Sequence, residues 1–203
     1  MIDNSELIRK QFYFNEANDM FFHCQIVQRA KDHPNEKVKE GAIHTYFIRS
    51  KEHLERLMPE IKLLCNFYGA RAYINTAGKD FSKVNKLILV KIATYINEGN
   101  TVNARKILNS AAGETKSRYP VWIVDIDTKD KEPQDKIFNW LKDYFEKTDE
   151  KKSWFRALVP TVQGCHFIVR PFNLLEFNKE FPDIMVHKNS MGTLLYMPDL
   201  KQD

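Results

Sequence analysis

Apolar residues in the first part of the chain follow two periods, one typical of strands and one typical of helices. Apolar runs at residues 20–30 and 42–50 predict two strands, and the polar stretch between them predicts a hairpin connection. After Ser50, apolar residues return every three or four positions as far as Gly69, which predicts a helix with a cap at its C-terminal end. The apolar positions of this helix are Leu54, Leu57, Ile61, Leu64 and Cys65.

The same patterns continue to a polar segment at residues 113–120. They predict a strand at residues 70–75 and two helices at residues 82–99 and 101–113. The polar segment is the best candidate for a junction between two halves of the chain.

The second half begins with an apolar run that ends in acids, VWIVDID at residues 121–127. The elements predicted after it are a helix around residues 137–145, strands at 155–160 and 165–172, a short helix at 174–181, and two closing strands at 183–189 and 192–198. The order β-α-β-β-α-β resembles a split βαβ layout. We therefore predict an α/β (α+β) protein, with an N-terminal α/β module at residues 1–115 and a second module at residues 116–203.

Composition indicates the compartment and the kinds of partner to expect for this protein. Three widely separated cysteines without C-x-x-C spacing favour a reducing compartment, and no long uncharged run could span a bilayer. No apolar signal-peptide core stands near the first residue, so we expect a cytoplasmic protein without a membrane partner. The net charge of +4 permits a polyanionic partner without requiring one.

Asp125 and Asp127 are the first candidate site residues. Two positions apart near the end of a strand, they point to the same face and raise each other's pKa unless a cation lies between them. Paired carboxylates of this kind suit Mg²⁺ or Mn²⁺, which take further ligands from water and substrate phosphates. The alternative is a strand that simply runs into a polar loop.

The segment TVQGCHFIVRPF, residues 161–172, supplies a second group. Gly164 permits a tight backbone, His166 follows two positions later, and Arg170 shares the face of His166 by strand alternation. A histidine and an arginine beside paired carboxylates could hold a triphosphate. The alternative is an ordinary partly buried histidine in a strand.

A third group lies in PDIMVHKNSMGTLLYMP. Asp183 could be a further carboxylate, and His187 and Lys188 could contact phosphate. The alternative is that all three are ordinary polar residues exposed to solvent. Arg71 is a charged residue within a short predicted strand and could line the same cleft or stand exposed on an edge.

These three segments resemble the three motifs of the archaeo-eukaryotic primase superfamily: VWIVDID, then QGCHFIVRP, then an acid before a strand in PDIMVHK. The resemblance implies a C-terminal catalytic module like an RNA-recognition motif (RRM-like). It further implies that Asp125, Asp127 and Asp183 bind metal and that His166 holds the nucleotide. The chain departs from the family in Gln163, which stands where a small residue is usual, and in Asp183, which precedes its strand. We also expect the family's zinc-binding segment and helicase domain to be absent.

Three functions compete. The first is a metal-dependent nucleotidyltransferase of primase-polymerase type in DNA replication or repair, acting on nucleoside triphosphates and a DNA or RNA template, with a separate helicase as a possible partner. The second is a haloacid-dehalogenase-type phosphatase, whose D-x-D start the segment DIDT resembles. The third is a non-catalytic RRM-like protein that binds single-stranded nucleic acid on aromatic side chains.

For the first function the sequence predicts a division of labour. We expect His166, Arg170 and Lys188 to bind the triphosphate, because they belong to the same C-terminal segments as the acids. The template should run over basic residues of the N-terminal half, namely Arg29, Lys31 and Arg71.

Overall fold

The structure is a computed structural model that describes residues 1–14, 19–35, 37–101, 103–117, 119–148, 153–188 and 192–199. It confirms a mixed α/β protein with two antiparallel sheets. Across these described ranges, none of the helices combines the length and the apolar composition that crossing a membrane requires.

The first sheet contains strands from both ends of the chain. Its members are β1 (Ile2–Asp3), β2 (Met20–Gln28), β3 (Gly41–Ile48), β4 (Arg71–Asn75), β5 (Lys79–Asp80) and β10 (Gly192–Met197). They run in the order β1-β10-β4-β2-β3, and the short β5 also pairs with β2. The predicted strands at residues 20–30, 42–50 and 70–75 are thereby confirmed to within a few residues.

Helices cover both faces of this sheet. One face packs against α1 (Ser5–Gln11) and α2 (Lys51–Tyr68) around Cys24, Ile26 and Ile74. On the other face, Phe21 contacts residues of α3 (Phe81–Asn97) and α4 (Ala104–Glu114).

The ends of α2 are fixed by the two residues that the sequence indicated. The hydroxyl of Ser50 accepts a hydrogen bond from the amide of His53 at 3.1 Å, which satisfies a donor that the first helical turn leaves open. Gly69 ends the helix with φ of 55°, a conformation that a residue with a Cβ adopts only at a cost.

The second sheet is built entirely from the C-terminal half. Its strands are β6 (Trp122–Ile126), β7 (Phe155–Pro160), β8 (Cys165–Val169) and β9 (Met185–His187), in the order β7-β8-β6-β9 with antiparallel neighbours throughout. The helices α5 (Lys131–Thr148) and α6 (Leu174–Glu180) cover one face, where Val124, Phe167 and Leu141 are buried.

The last strand does not lie where the sequence pattern suggested. We expected residues 192–198 to close the C-terminal module, but β10 pairs with β1 and β4 in the first sheet. The register brings Leu195 and Tyr196 into the core of that sheet, where both are at most 3% exposed. The last strand of the C-terminal half therefore belongs to the first sheet.

The sheets also meet at the uncovered face of the second sheet. Ile123, Ala157, Val159 and Ile168 pack there with Leu7 of α1. Asn4 connects the two sheets at this corner. Its side-chain amide donates to the carbonyl of Pro160 in β7 and to that of Leu194 in β10, each at 2.9 Å. The rest of this face opens into a cleft.

Candidate functional site

A cleft of about 330 Å³ lies between the two sheets, and we call it the acidic cleft after Asp125 and Asp127. The second sheet and its β7–β8 turn contribute Ile123, Asp125, Asp127, Thr161, Val162, Gln163, His166, Met185 and His187. The first sheet and the turn after β2 contribute Arg29, Lys31, Arg71, Tyr73, Gly192 and Leu194. One wall is therefore acidic and the facing wall is basic.

The prediction that Asp125 and His166 lie on neighbouring strands is confirmed. They stand directly opposite each other in the antiparallel pair β6 and β8, so their side chains share one face. Nε2 of His166 lies 3.2 Å from one carboxylate oxygen of Asp125, and Nε2 of His187 from β9 lies 3.5 Å from the other. One carboxylate is thus flanked by two imidazoles.

This environment reverses the pKa shift expected from sequence. The hydrogen bond from His166 holds the pKa of Asp125 below its usual value, against the effect of burial, and His187 acts in the same direction. Repulsion from Asp127 does not dominate the pKa of Asp125. Asp127 comes directly after the end of β6, and its side chain is exposed. Within the described residues, Asp127 has neither a hydrogen-bond nor an ion-pair partner.

The first sheet contacts the side of the His166 ring that faces away from Asp125. Its Nδ1 lies 2.9 Å from the hydroxyl of Thr193, which is fully buried in β10. If this hydroxyl donates to Nδ1, the proton of the neutral ring is on Nε2, the nitrogen that faces Asp125. The relation between Thr193 and His166 spans 27 residues and two sheets, and no local sequence signal could have indicated it.

Gly164 brings the β7–β8 turn against the end of β6. A Cβ at this position would overlap the carbonyl of Ile126 and approach the backbone of Thr128 to 2.6 Å. The turn is closed by Thr161, whose amide donates to the carbonyl of Gly164 and whose hydroxyl accepts from the amide of Gly164. The tight backbone predicted at Gly164 therefore places Gln163 and Asp127 at the same mouth of the cleft.

The basic wall is only partly available to a ligand. Arg71 forms a two-pronged ion pair with Asp32, with Nε donating at 2.7 Å, and both side chains are at most 9% exposed. Burial alone would lower the pKa of Arg71, but the hydrogen bonds to Asp32 and Tyr73 raise it. Arg71 therefore lines the cleft as expected. Its guanidinium is already bound to Asp32 of the 3-10 turn Ala30–Asp32, so it is not available to contact a template.

Arg29 precedes this turn and Lys31 lies within it, and both side chains line the acidic cleft itself. Nη1 of Arg29 donates to the hydroxyl of Tyr73 at 3.3 Å. The sequence interpretation assigned these two residues to a template path separate from the acids. The structure instead places them opposite Asp125 and Asp127, because the turn after β2 folds over the uncovered face of the second sheet.

Three predicted site residues lie outside the acidic cleft. Asp183 is exposed in the turn before β9, and the β9 side chains that reach the cleft are those of Met185 and His187. Lys188 stands with Nζ 5.3 Å from the ring centre of Trp122 and lines a different cavity.

Arg170 does not share the face of His166, contrary to the expected alternation. It follows the end of β8, and its guanidinium carbon lies 6.0 Å from the ring centre of Phe145 on the helix-covered face. Its backbone amide donates to the carbonyl of Trp154 at 2.9 Å, just beyond the ends of β7 and β8.

The acidic cleft thus brings together Asp125, Asp127 and His166 from the sequence prediction and adds His187 and Thr193. No protein-family model, no curated protein and no solved structure matches this chain.

Proposed function

We propose that the acidic cleft binds a nucleoside triphosphate with a divalent cation and performs nucleotidyl transfer of primase-polymerase type, in DNA replication or repair. One observation carries this proposal: Asp125 and His166 are cross-strand partners facing a cleft that also holds Asp127. Arg29 and Lys31 on the facing wall supply the positive charge that a polyphosphate or a nucleic-acid backbone requires.

The arrangement of the second sheet supports the proposal. In the β-α-β-β-α-β series from β6 to β9, the second, third, first and fourth strands are neighbours in that order. We infer an RRM-like catalytic half from this order, with helices on one face and the candidate site on the other. The same topology counts against the phosphatase alternative, because an alternating βα chain produces a parallel sheet, whereas both neighbours of β6 are antiparallel to it.

The donor set fits a metal that is shared with the nucleotide. Among the described residues, no group of three histidine, cysteine, aspartate or glutamate side chains is placed to hold an ion. Asp125 and Asp127 offer two carboxylates, and Mg²⁺ or Mn²⁺ commonly accepts one or two carboxylates and completes its shell with water and phosphate oxygens. When bound, such an ion would neutralise charge on the phosphates and lower the pKa of an attacking hydroxyl.

The remaining side chains bind and orient. Nε2 of His166 donates to Asp125, and its one N–H can pass to a phosphate oxygen once a cation has taken over that carboxylate, while Thr193 fixes the ring from the opposite side. Arg29 and Lys31 attract the anionic ligand from the other wall. Tyr73, hydrogen-bonded to Arg29, restricts where that guanidinium can lie.

The test is the replacement of Asp125 and Asp127 by Asn in one variant. We expect the affinity for Mn²⁺ with a nucleoside triphosphate to fall by more than about a hundredfold, which exceeds the usual loss for residues that only support a ligand. The wild-type chain should bind Mn²⁺ weakly alone and more tightly with the triphosphate, measured by calorimetry. Incorporation of a labelled nucleotide, with and without a primer, measures turnover.

A matched control replaces Asp135 and Asp143 on α5, which changes the charge by the same amount on an exposed surface. This control should bind metal and nucleotide as the wild type does. Equal affinity in the Asp125 and Asp127 variant, or no binding by the wild type, would contradict the proposal.

A non-catalytic, single-strand-binding function is the second candidate, and one observation favours it. The positions of β9 that face the cleft carry Met185 and His187, so the third carboxylate implied by the primase resemblance is not contributed by this strand. This candidate predicts that wild-type protein binds single-stranded nucleic acid without turnover and that the Asp125 and Asp127 variant binds it equally well.

A further inference from the structure

A second concavity lies on the molecule apart from the acidic cleft. Two adjoining cavities of about 310 and 390 Å³ share Ala77, Pro120 and Val121 among their lining residues, and together we call them the lysine-tyrosine groove. None of the described residues that line this groove also lines the acidic cleft. Cavities of this size fall in the range that encloses small ligands or segments of a polymer.

One end of the groove is basic and includes a buried ammonium group. Lys79 is 3% exposed, and its Nζ donates to the backbone carbonyl of Thr115 at 2.6 Å. In the described part of the chain, no carboxylate lies within ion-pair distance of this Nζ. A buried cation without a counter-charge is costly, and burial accordingly lowers the pKa of Lys79.

The neighbouring charges make this end suitable for an anion. Lys116 and Lys188 line the same cavity, and both are exposed. Glu114 also lines it, but its carboxylate is already paired with Lys91 at 2.7 Å and accepts a hydrogen bond from Ser110. A phosphate group beside Lys79 would supply the missing counter-charge and contact the two exposed lysines.

The other end of the groove presents aromatic rings. Tyr13 and Tyr119 are 67% and 51% exposed, and Arg156 of β7 lies in the same lining. Exposed aromatic side chains beside basic residues form stacking surfaces for unpaired bases, since every base has a flat face that can stack. Bases in a duplex are already stacked and do not offer these faces.

We propose that the lysine-tyrosine groove binds a single-stranded segment of nucleic acid, with phosphates at Lys79, Lys116 and Lys188 and bases on Tyr13 and Tyr119. The proposal rests on the proposed function in one respect, which is that the strand is the template. The path is short: Val121 in the groove and Asp125 in the cleft are four residues apart in extended chain, about 13 Å. Along β9, His187 lines the cleft and the next residue lines the groove.

The test is fluorescence anisotropy with a labelled oligothymidylate at several salt concentrations. Changing Lys116 and Lys188 together to Ala should weaken binding by about tenfold and reduce the slope of log affinity against log salt by about 1.4. Tyr119→Ala should weaken binding and leave the salt slope unchanged. A control variant with Lys142 and Lys147 of α5 changed to Ala, which removes the same charge from exposed positions, should bind as the wild type does.

Further variants separate this inference from the proposed function. The double variant Asp125→Asn, Asp127→Asn should abolish metal-dependent triphosphate binding and leave oligothymidylate affinity unchanged. The groove proposal alone is overturned if the double variant Arg29→Ala, Lys31→Ala binds the strand more weakly than the wild type does and the Lys116 and Lys188 variant binds it equally well. It is also overturned if inorganic phosphate displaces the strand and Tyr119→Ala has no effect. Failure of the proposed function appears separately, as wild-type protein that binds the strand without metal-dependent triphosphate binding.

Discussion

The carboxylate of Asp125 lies between two histidines that come from different strands. His166 contacts it across the β6–β8 pair and His187 across the β6–β9 pair. The two imidazoles stabilise the ionised carboxylate, which is the form that binds a cation. The spacing of Asp125 and Asp127 indicated a site, but the state of Asp125 is set by residues that are 41 and 62 positions away in the sequence.

Gly164 offers a test of how closely the turn after β7 must approach β6. We expect Gly164→Ala to lower the free energy of unfolding by about 1–3 kcal/mol or more, because the new Cβ would overlap fixed backbone atoms. Gly113 in α4 is the matched control, since a Cβ there meets no atom within 4 Å. Gly113→Ala should leave stability unchanged or raise it by up to about 1 kcal/mol. Urea denaturation of both variants measures the difference.

We expect the free energy of unfolding to depend on pH because of His23. Burial lowers its pKa in the folded chain, the charge on Lys79 acts in the same direction, and the contact with Asn109 opposes both. The unfolded chain therefore binds a proton near pH 6.5 that the folded chain binds only at lower pH, so stability falls as pH decreases below about 6.5. His23→Gln should reduce this fall. Identical profiles of unfolding free energy against pH in the two proteins would contradict the assignment.

At the scale of elements, one buried ion pair links the 3-10 turn at Ala30–Asp32 to Arg71 of β4. Asp32→Ala would leave the guanidinium of Arg71 buried without its partner, and we expect a loss of about 3–5 kcal/mol in unfolding free energy. Glu146→Ala on α5 removes the exposed pair with Lys142 and should change stability by at most about 0.5 kcal/mol. Denaturant midpoints compare the two. A small loss for Asp32→Ala would mean that the turn holds Lys31 at the cleft by other contacts.

Elements with strong local patterns were predictable, and their partners were not. The helix α2 follows from its apolar spacing, its cap Ser50 and its C-terminal Gly69, all of which are local. The helix α1 was missed because seven residues with one buried side chain, Ile8, give too short a period to detect. The strand β10 was predicted, but which sheet it joins depends on long-range pairing that alternation does not specify.

The candidate site shows the same limit. Asp125, Asp127 and His166 could be chosen from residue type and spacing because the chemistry of a phosphate site favours these groups. The error at Arg170 arose because β8 ends at Val169 and regular alternation does not continue beyond it. The error at Asp183 arose because β9 begins at Met185.

At the scale of the whole molecule, the two sheets have separate cores but share structural elements. Leu195 of β10 is buried with the first sheet, while the same strand supplies Thr193 to His166 of the second. Asn4 links β7 and β10 at the corner where the sheets meet. These links predict that the chain unfolds in one cooperative step, with no stage in which only one sheet is folded.

The tryptophans allow this to be measured, because Trp122, Trp140 and Trp154 all belong to the C-terminal half and pack in the second core. Leu195→Ala, a cavity in the first core, should destabilise the chain by about 2–5 kcal/mol. It should shift the tryptophan fluorescence transition and the circular dichroism transition to the same lower denaturant concentration. Leu141→Ala in the second core is the reciprocal variant and should shift both probes together. If Leu195→Ala moved the circular dichroism transition and left the fluorescence transition in place, the halves would unfold independently, and the placement of His166 by Thr193 would not depend on a single folded unit.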